Sequence, residues 1–231
     1  MREYTVEQSS LSFRWTFQRM LPRLPGPGSE EFAELCKGLH PYGLTPSRVV
    51  IDASSSRMSE ISIGIALLDS RLGIRITAEA VEFVLNELLV DDEEKLVPIA
   101  DLVFAAVRKV DEDAIYGTAN FKVSSHFKLP HGENLGLLRE HQGFQGRGFD
   151  LDGAVYRVNL GTDSLAQDFR MAVAKSLAYE DAIFVDTSVN YEGPATPTEL
   201  ATYINVDSER ALELLELREK DEPAEAGRER G

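Results

Sequence analysis

Apolar and polar residues alternate along several segments of the chain, the pattern expected of half-buried β-strands. In 10–20, the residues Leu11, Phe13 and Trp15 share one parity and predict a first strand. Similar alternation recurs between 47 and 88, interrupted by polar turns, and predicts β-hairpins. The segment 81–90 also fits one face of a helix, but we interpret it as a strand that continues the meander.

The helical pattern is clearest over 96–110, where six apolar side chains form a single stripe: Ile99, Leu102, Val103, Ala106, Val107 and Val110. Acidic residues precede this segment and Arg108 and Lys109 end it, which matches the helix dipole. We expect Pro98 in its first turn, where a missing N–H costs nothing. Another helix is predicted to begin after Ser29, a favourable N-cap residue.

The segment 115–129 predicts a long strand with two unlike faces. Its odd positions carry mostly apolar residues such as Phe121, and its even positions carry mostly polar ones such as Lys122 and His126. A turn at 130–134 and a short helix at 133–142 are expected to follow.

The second half predicts further hairpins and a last helix. A hairpin is expected around Asp152–Gly153, a strong turn signal, and another is expected to turn near Glu180–Asp181. A helical region is predicted to open at Pro197 or Thr198.

Strands grouped as hairpins predict an α+β fold, with a largely antiparallel sheet and two to four helices packed on it. We expect one α+β domain over 1–218, with a division into two similar halves at about 10–130 and 131–218 as an alternative. Residues 219–231 form a charged tail for which disorder is expected.

Composition narrows the class of protein. With 231 residues, 43% hydrophobic and 27% charged, the chain has the make-up of an ordinary globular protein. The lone Cys36 provides neither a disulfide framework nor a cysteine-based zinc site, and there is no apolar N-terminal signal or membrane-length segment. We therefore expect a cytoplasmic protein that contacts no membrane.

Charge argues against nucleic acid as a partner at the level of the whole chain. The net charge of −15 disfavours general binding to a phosphate backbone. Residues 114–149 depart from this balance, with four basic side chains against two acidic ones. That stretch is the natural first choice for a contact surface.

Three of the four histidines fall in 117–148: His126, His131 and His141. If the helix at 133–142 folded back on the strand, imidazole and carboxylate groups there could converge as ligands for zinc, iron or manganese. No pair has the i, i+4 spacing of a metalloprotease helix, however, and solvent-exposed or helix-end histidines are common. We predict no metal and no cofactor.

Two other motifs lack the context that their chemistry requires. Ser124 and His126 are neighbours on one strand face, without the exposed turn of a catalytic serine. The glycines of 143–148 follow a helix and enter a strand, whereas a phosphate-binding loop follows a strand and opens a helix.

The sequence therefore favours a non-catalytic interaction or assembly module, with a protein partner or self-association expected and nucleic acid unlikely. The alternative is a small-molecule or metal-dependent enzyme that uses the outer face of 115–129 and the helix after it. In both cases the predicted contact surface consists of Lys122, Ser124, His126, Lys128, His131, Arg139, His141 and Arg147.

Overall fold

The computed structural model describes residues 2–54, 57–112, 114, 116–130, 153–158, 166–193 and 196–219. Its strands are β1 Arg2–Phe17, β2 Val49–Asp52, β3 Ser62–Leu67, β4 Leu72–Thr77, β5 Ala80–Leu85, β6 Tyr116–Lys128, β7 Gly153–Val158, β8 Ala166–Lys175, β9 Ala182–Glu192 and β10 Leu217–Glu219. Its α-helices are α1 Glu30–Leu39, α2 Glu93–Val110 and α3 Pro197–Leu214. Short 3₁₀ turns occupy His40–Tyr42, Pro46–Arg48, Met58–Glu60 and Val90–Asp92.

All of these strands join one sheet, in the order β2-β3-β4-β5-β1-β6-β9-β8-β7. Neighbours along this path are antiparallel, and β10 adds to the start of β1 as a short parallel partner. The prediction of an α+β fold with a largely antiparallel sheet and helices packed on it is confirmed.

The core lies between the sheet and the helices. Phe104 of α2 meets Trp15 of β1 edge-on, with ring centroids 4.4 Å apart. The α1 helix approaches α2 closely at Gly38, where an added Cβ would lie 2.6 Å from Cδ2 of Leu102. On the other half of the sheet, α3 packs over β9, and burial raises the pKa of the Tyr191 phenol well above its usual range.

Local signals explain where the helices begin. Ser29 caps α1 as predicted, accepting the backbone N–H of Phe32 at 3.2 Å. Thr196 and Glu199 form a reciprocal capping box at the start of α3. The α2 helix begins three residues before the predicted start, so Pro98 lies inside the helix and not in its first turn. The prediction for Pro98 was therefore wrong, and the helix gives up one backbone hydrogen bond there.

The strand predictions hold with one correction. The β5 strand and the β8–β9 turn are confirmed, the latter with Asp181 at φ 56°. The first strand begins at Arg2 and not near residue 10, because a register shift between Val6 and Gln8 interrupts the alternation that would have revealed it.

Several other expectations cannot be compared with the structure. The helix at 133–142, the first arm of the hairpin around Asp152–Gly153 and residues 220–231 lie outside the described residues. None of the described helices has the length and apolar character needed to cross a membrane.

A buried ion pair fastens the β3–β4 turn to the start of α2. Arg71 donates to both carboxylate oxygens of Asp92, whose side chain is only 1% exposed. The backbone N–H of Leu89 also donates to Asp92, at 3.1 Å. The hydrogen bond from the Arg71 guanidinium holds the pKa of Asp92 below its usual range, despite the opposing effect of burial.

We expect Asp92→Asn to lower the free energy of unfolding by about 3 kcal/mol at pH 7, because it leaves Arg71 without its charge partner. The depressed pKa of Asp92 stabilises the fold above the unfolded-state value of about 3.9, and this contribution is lost as pH falls through the folded-state pKa. The variant should lack that part of the acid dependence. Urea unfolding between pH 7 and pH 3 measures both effects.

The neighbouring Asp91 is exposed and supplies the matched control. Asp91→Asn should change the unfolding free energy by less than about 0.5 kcal/mol. Equal stability of the two variants across the pH range would show that the Arg71–Asp92 pair does not stabilise the fold.

Candidate functional site

The sheet has two unlike faces because side chains alternate along each strand. One face packs against the helices and buries Trp15, Phe83 and Val189. The opposite face, which we call the open face, carries polar side chains along β1, β6 and β9 together with the exposed Val50, Val84 and Val155, and α1, α2 and α3 all lie on the other side. The open face is therefore a broad solvent-exposed surface whose polar part is centred on β6.

Half of the predicted contact surface lies together on the open face. Its four described members all project from β6: Lys122, Ser124, His126 and Lys128. The two predicted faces of this strand are confirmed. His131, Arg139, His141 and Arg147 lie outside the described residues, so the full predicted surface remains a prediction.

Asp186 of β9 organises the centre of the open face. Ser124 donates its hydroxyl hydrogen to Oδ1 of Asp186, and Lys122 Nζ lies 3.3 Å from Oδ2. His126 makes a different contact, with Nδ1 3.0 Å from Oγ of Ser176. Ser124 and His126 are thus engaged separately, which agrees with the sequence argument against a catalytic pair.

His126 belongs to a group of rings on the open face, which we call the ring cluster: His126, Tyr179 and Phe184. The His126 ring centroid lies 5.2 Å from that of Tyr179 and 5.0 Å from that of Phe184. Ser176 fixes the β8–β9 turn beneath them, since its Oγ accepts the N–H of Tyr179 at 2.9 Å. Beside the ring cluster, Leu177 at the turn is fully exposed.

A row of cations, which we call the cation row, crosses the second half of the open face: Lys122, Arg170 and Arg157. Strand pairing places them side by side, with Ser188 between Lys122 and Arg170. Arg170 and Arg157 share one carboxylate, with Nε atoms 2.8 and 3.3 Å from the oxygens of Asp168. Their side chains nevertheless remain 67% and 77% exposed.

A second shared carboxylate lies on the first half of the open face. Oε1 of Glu82 lies 3.1 Å from Nη1 of Arg14, and Oε2 of Glu82 lies 4.0 Å from Nη1 of Arg75. Between the two networks, Asn120 donates to Asn190 at 2.7 Å. These contacts continue the polar surface from β4 across to β7.

Cations outnumber carboxylates in the ion pairs of the open face, although acidic residues dominate the chain. These ion pairs join six cations to four carboxylates once Lys128–Glu7, at 3.7 Å, is included, and strand pairing places two more exposed carboxylates, Asp52 and Glu192, on the same face. The whole chain has 24 basic and 39 acidic side chains. The open face is therefore less acidic than the chain as a whole.

Sequence reasoning missed the arginines of the open face. Arg14, Arg157 and Arg170 stand singly among apolar neighbours, and only strand pairing gathers them. The alternation that placed Lys122 on the polar face could have found them, because each arginine occupies a polar position in the alternation of its own strand.

The described residues do not form a candidate metal site. Within the ranges described, no three histidine, cysteine, aspartate or glutamate side chains stand close enough to share a metal ion. Of the proposed histidine group, only His126 belongs to those ranges.

Comparisons with known proteins find a weak likeness among solved structures. No family model matches the chain, and no curated protein matches it. Among solved structures, the chain is similar to "Rolling Circle Replication Initiator Protein from Geobacillus stearothermophilus", at a TM-score of 0.33 and 9% identity, covering 94% of this chain and 85% of that one.

This comparison corrects two predictions. The structural neighbour is a replication initiator, which conflicts with a non-catalytic assembly module and with nucleic acid as an unlikely partner. We do not retain either prediction, nor the protein partner or self-association that went with them. A likeness at this TM-score carries no argument about what this chain itself does, so its function is argued below from the surface alone.

We expect His126→Ala to lower the free energy of unfolding by about 1–2 kcal/mol, because it removes both the contact with buried Ser176 and two ring contacts. Lys128→Ala, two residues further along β6 on the same face, should change it by less than about 0.5 kcal/mol. Urea unfolding at pH 8 measures both. Equal effects would show that the ring cluster does not hold the β8–β9 turn in place.

Proposed function

We propose that the chain binds single-stranded nucleic acid across the open face of its sheet. The observation that carries this proposal is the combination of exposed cations and a ring cluster on one face of an acidic protein. Single-strand binding needs both elements, since cations follow the phosphate backbone and rings stack on the bases.

The spacing on the open face suits a single strand of nucleic acid. Lys122 and Arg170 are two strands apart, which is about 10 Å. The ring cluster lies along β6 and β9, four residues from the cation row or about 14 Å away. One short segment of nucleic acid therefore reaches both. Antiparallel sheets of other proteins also contact nucleic acid with side chains on one face.

The net charge of −15 does not prevent binding at this face. At physiological salt the Debye length is about 8 Å, so a bound phosphate senses chiefly the side chains closest to it. On the cation row those are Lys122, Arg170 and Arg157, with Asp168 and Asp186 as the opposing charges, which leaves one positive charge in excess. Whole-chain charge was a poor guide because it averages over surfaces that a bound strand never approaches.

We expect the double variant Lys122→Ala, Arg170→Ala to weaken binding of a 20-nucleotide single strand about tenfold, because two phosphate contacts are lost. The slope of log affinity against log salt concentration should become shallower by about 1.4, at about 0.7 for each contact. Fluorescence polarisation with a labelled oligonucleotide, from 50 to 300 mM salt, measures both quantities.

Two matched variants complete this test. Arg108→Ala removes an exposed arginine from α2, on the other side of the sheet, and should leave the affinity unchanged. Asp168→Asn removes the carboxylate that Arg157 and Arg170 share and should strengthen binding. If all three variants had the same affinity as the wild type, the cation row would not be the binding surface.

Stacking gives an independent prediction for Phe184. Phe184→Ala should weaken binding by about 1–3 kcal/mol for each base that stacks on the ring. The matched ligand is an abasic strand of equal length, which keeps the phosphates but offers no bases. The variant should bind that strand as the wild type does. An equal loss for both ligands would indicate damage to the fold and not lost stacking.

A further inference from the structure

A second candidate site lies at the far edge of the sheet, on the side of the helices. There α1 and the segment after it stand away from β2 and leave a half-open cavity of about 730 Å³. Val49 and Ile51 of β2 form one wall, and Phe32 and Cys36 of α1 form another. We call this cavity the edge pocket.

The edge pocket has the size and chemistry of a small-molecule site. Ligand pockets in proteins commonly occupy about 300–1,000 Å³ and are lined mainly by apolar groups. This lining is largely apolar and is stiffened by three prolines: Pro27, Pro41 and Pro46. Burial raises the pKa of the Cys36 thiol, so this cysteine forms part of the apolar wall and reacts only slowly with alkylating reagents at neutral pH.

The polar residues of the edge pocket indicate the charge of its ligand. Lys37 and His40 line it and are both exposed, and no described lining residue is acidic. Within the described parts of the chain, Lys37 has no carboxylate within ion-pair distance, unlike the cations of the open face. In a chain with 39 acidic residues, an acid-free apolar pocket beside such a lysine is complementary to an anion.

We propose that the edge pocket binds a small amphipathic anion of the medium-chain carboxylate class. Its hydrocarbon chain lies among Phe32, Cys36 and Ile51, and its carboxylate lies beside Lys37. The edge pocket is on the opposite side of the sheet from the open face. This proposal therefore does not depend on nucleic-acid binding, and either one can fail alone.

Three ligands of ten carbons in the main chain test the proposal by calorimetric titration of the 231-residue chain: decanoate, decanol and decyltrimethylammonium. Decanoate should bind best and the cation worst, since only the head group differs. Cys36 supplies a second readout because it is the chain's one cysteine and lines the edge pocket. Bound decanoate should slow its alkylation by iodoacetamide, followed by mass spectrometry.

Variants locate the ligand. Lys37→Ala should weaken decanoate about fivefold, the size of a half-exposed ion pair, and leave decanol unchanged. Ile51→Glu, at a side chain already 44% exposed, should weaken both decanoate and decanol while the fold survives, and decanoate more, because the new carboxylate also repels its head group. Lys175→Ala removes an exposed lysine on β8 as a control and should change neither.

Several results would overturn the proposal. One is equal affinity for the three head groups, and another is decanoate binding that leaves the Cys36 alkylation rate unchanged. Binding that is insensitive to both Lys37→Ala and Ile51→Glu would place the ligand elsewhere on the protein.

Discussion

The antiparallel pairing of β1 with β6 is the constraint on which the rest of the structure depends. It runs from Thr5–Lys128 to Phe17–Tyr116, and every other strand of the main path is added outward from these two. Because side chains alternate, its register decides which residues meet the helices and which form the open face. A slip of one residue would bring Lys122 under the helices and Phe121 into water. The register shift at Val6–Gln8 is absorbed at the end of the pairing, where β10 replaces β5 as the other neighbour of β1.

The sequence predicted which face of the sheet a side chain occupies, but not which side chains lie beside it on the neighbouring strands. Alternation placed Lys122 and His126 in water and Phe121 in the core, because period two is a local property of a strand. It contained no sign that Arg170 would lie two strands from Lys122, since that proximity depends on the pairing of β6, β9 and β8 across 48 residues. The edge pocket was equally hidden. Cys36 packs against the core from α1, but β2 leaves one side of that helix face uncovered.

The strand order bears on the proposed internal repeat. From the centre outward, β1 is followed by β5, β4, β3 and β2, and β6 by β9, β8 and β7, while α2 follows β5 along the chain and α3 follows β9. This order supports the proposal of two similar halves. It groups β6 with the strands after it, so we propose a boundary before β6 and not at residue 130. A comparison of residue identities would miss such a repeat because the two halves of the open face carry different side chains. Gly73 and Val84 lie in the same row of paired residues as Lys122 and Arg170.

The shared carboxylates decide how the open face would engage an anion. Asp168 and Glu82 each hold two arginines, which lowers the conformational entropy that these long side chains would lose on binding phosphate. The same carboxylates compete with the phosphate for the guanidinium groups, so preorganisation is gained at the expense of attraction. Two arginines on each carboxylate leave one positive charge in excess, and that excess is screened within about 8 Å at physiological salt. Such a face attracts an anion weakly from a distance and favours a ligand that lies flat along it. Stacking on the ring cluster then contributes the affinity that long-range attraction does not.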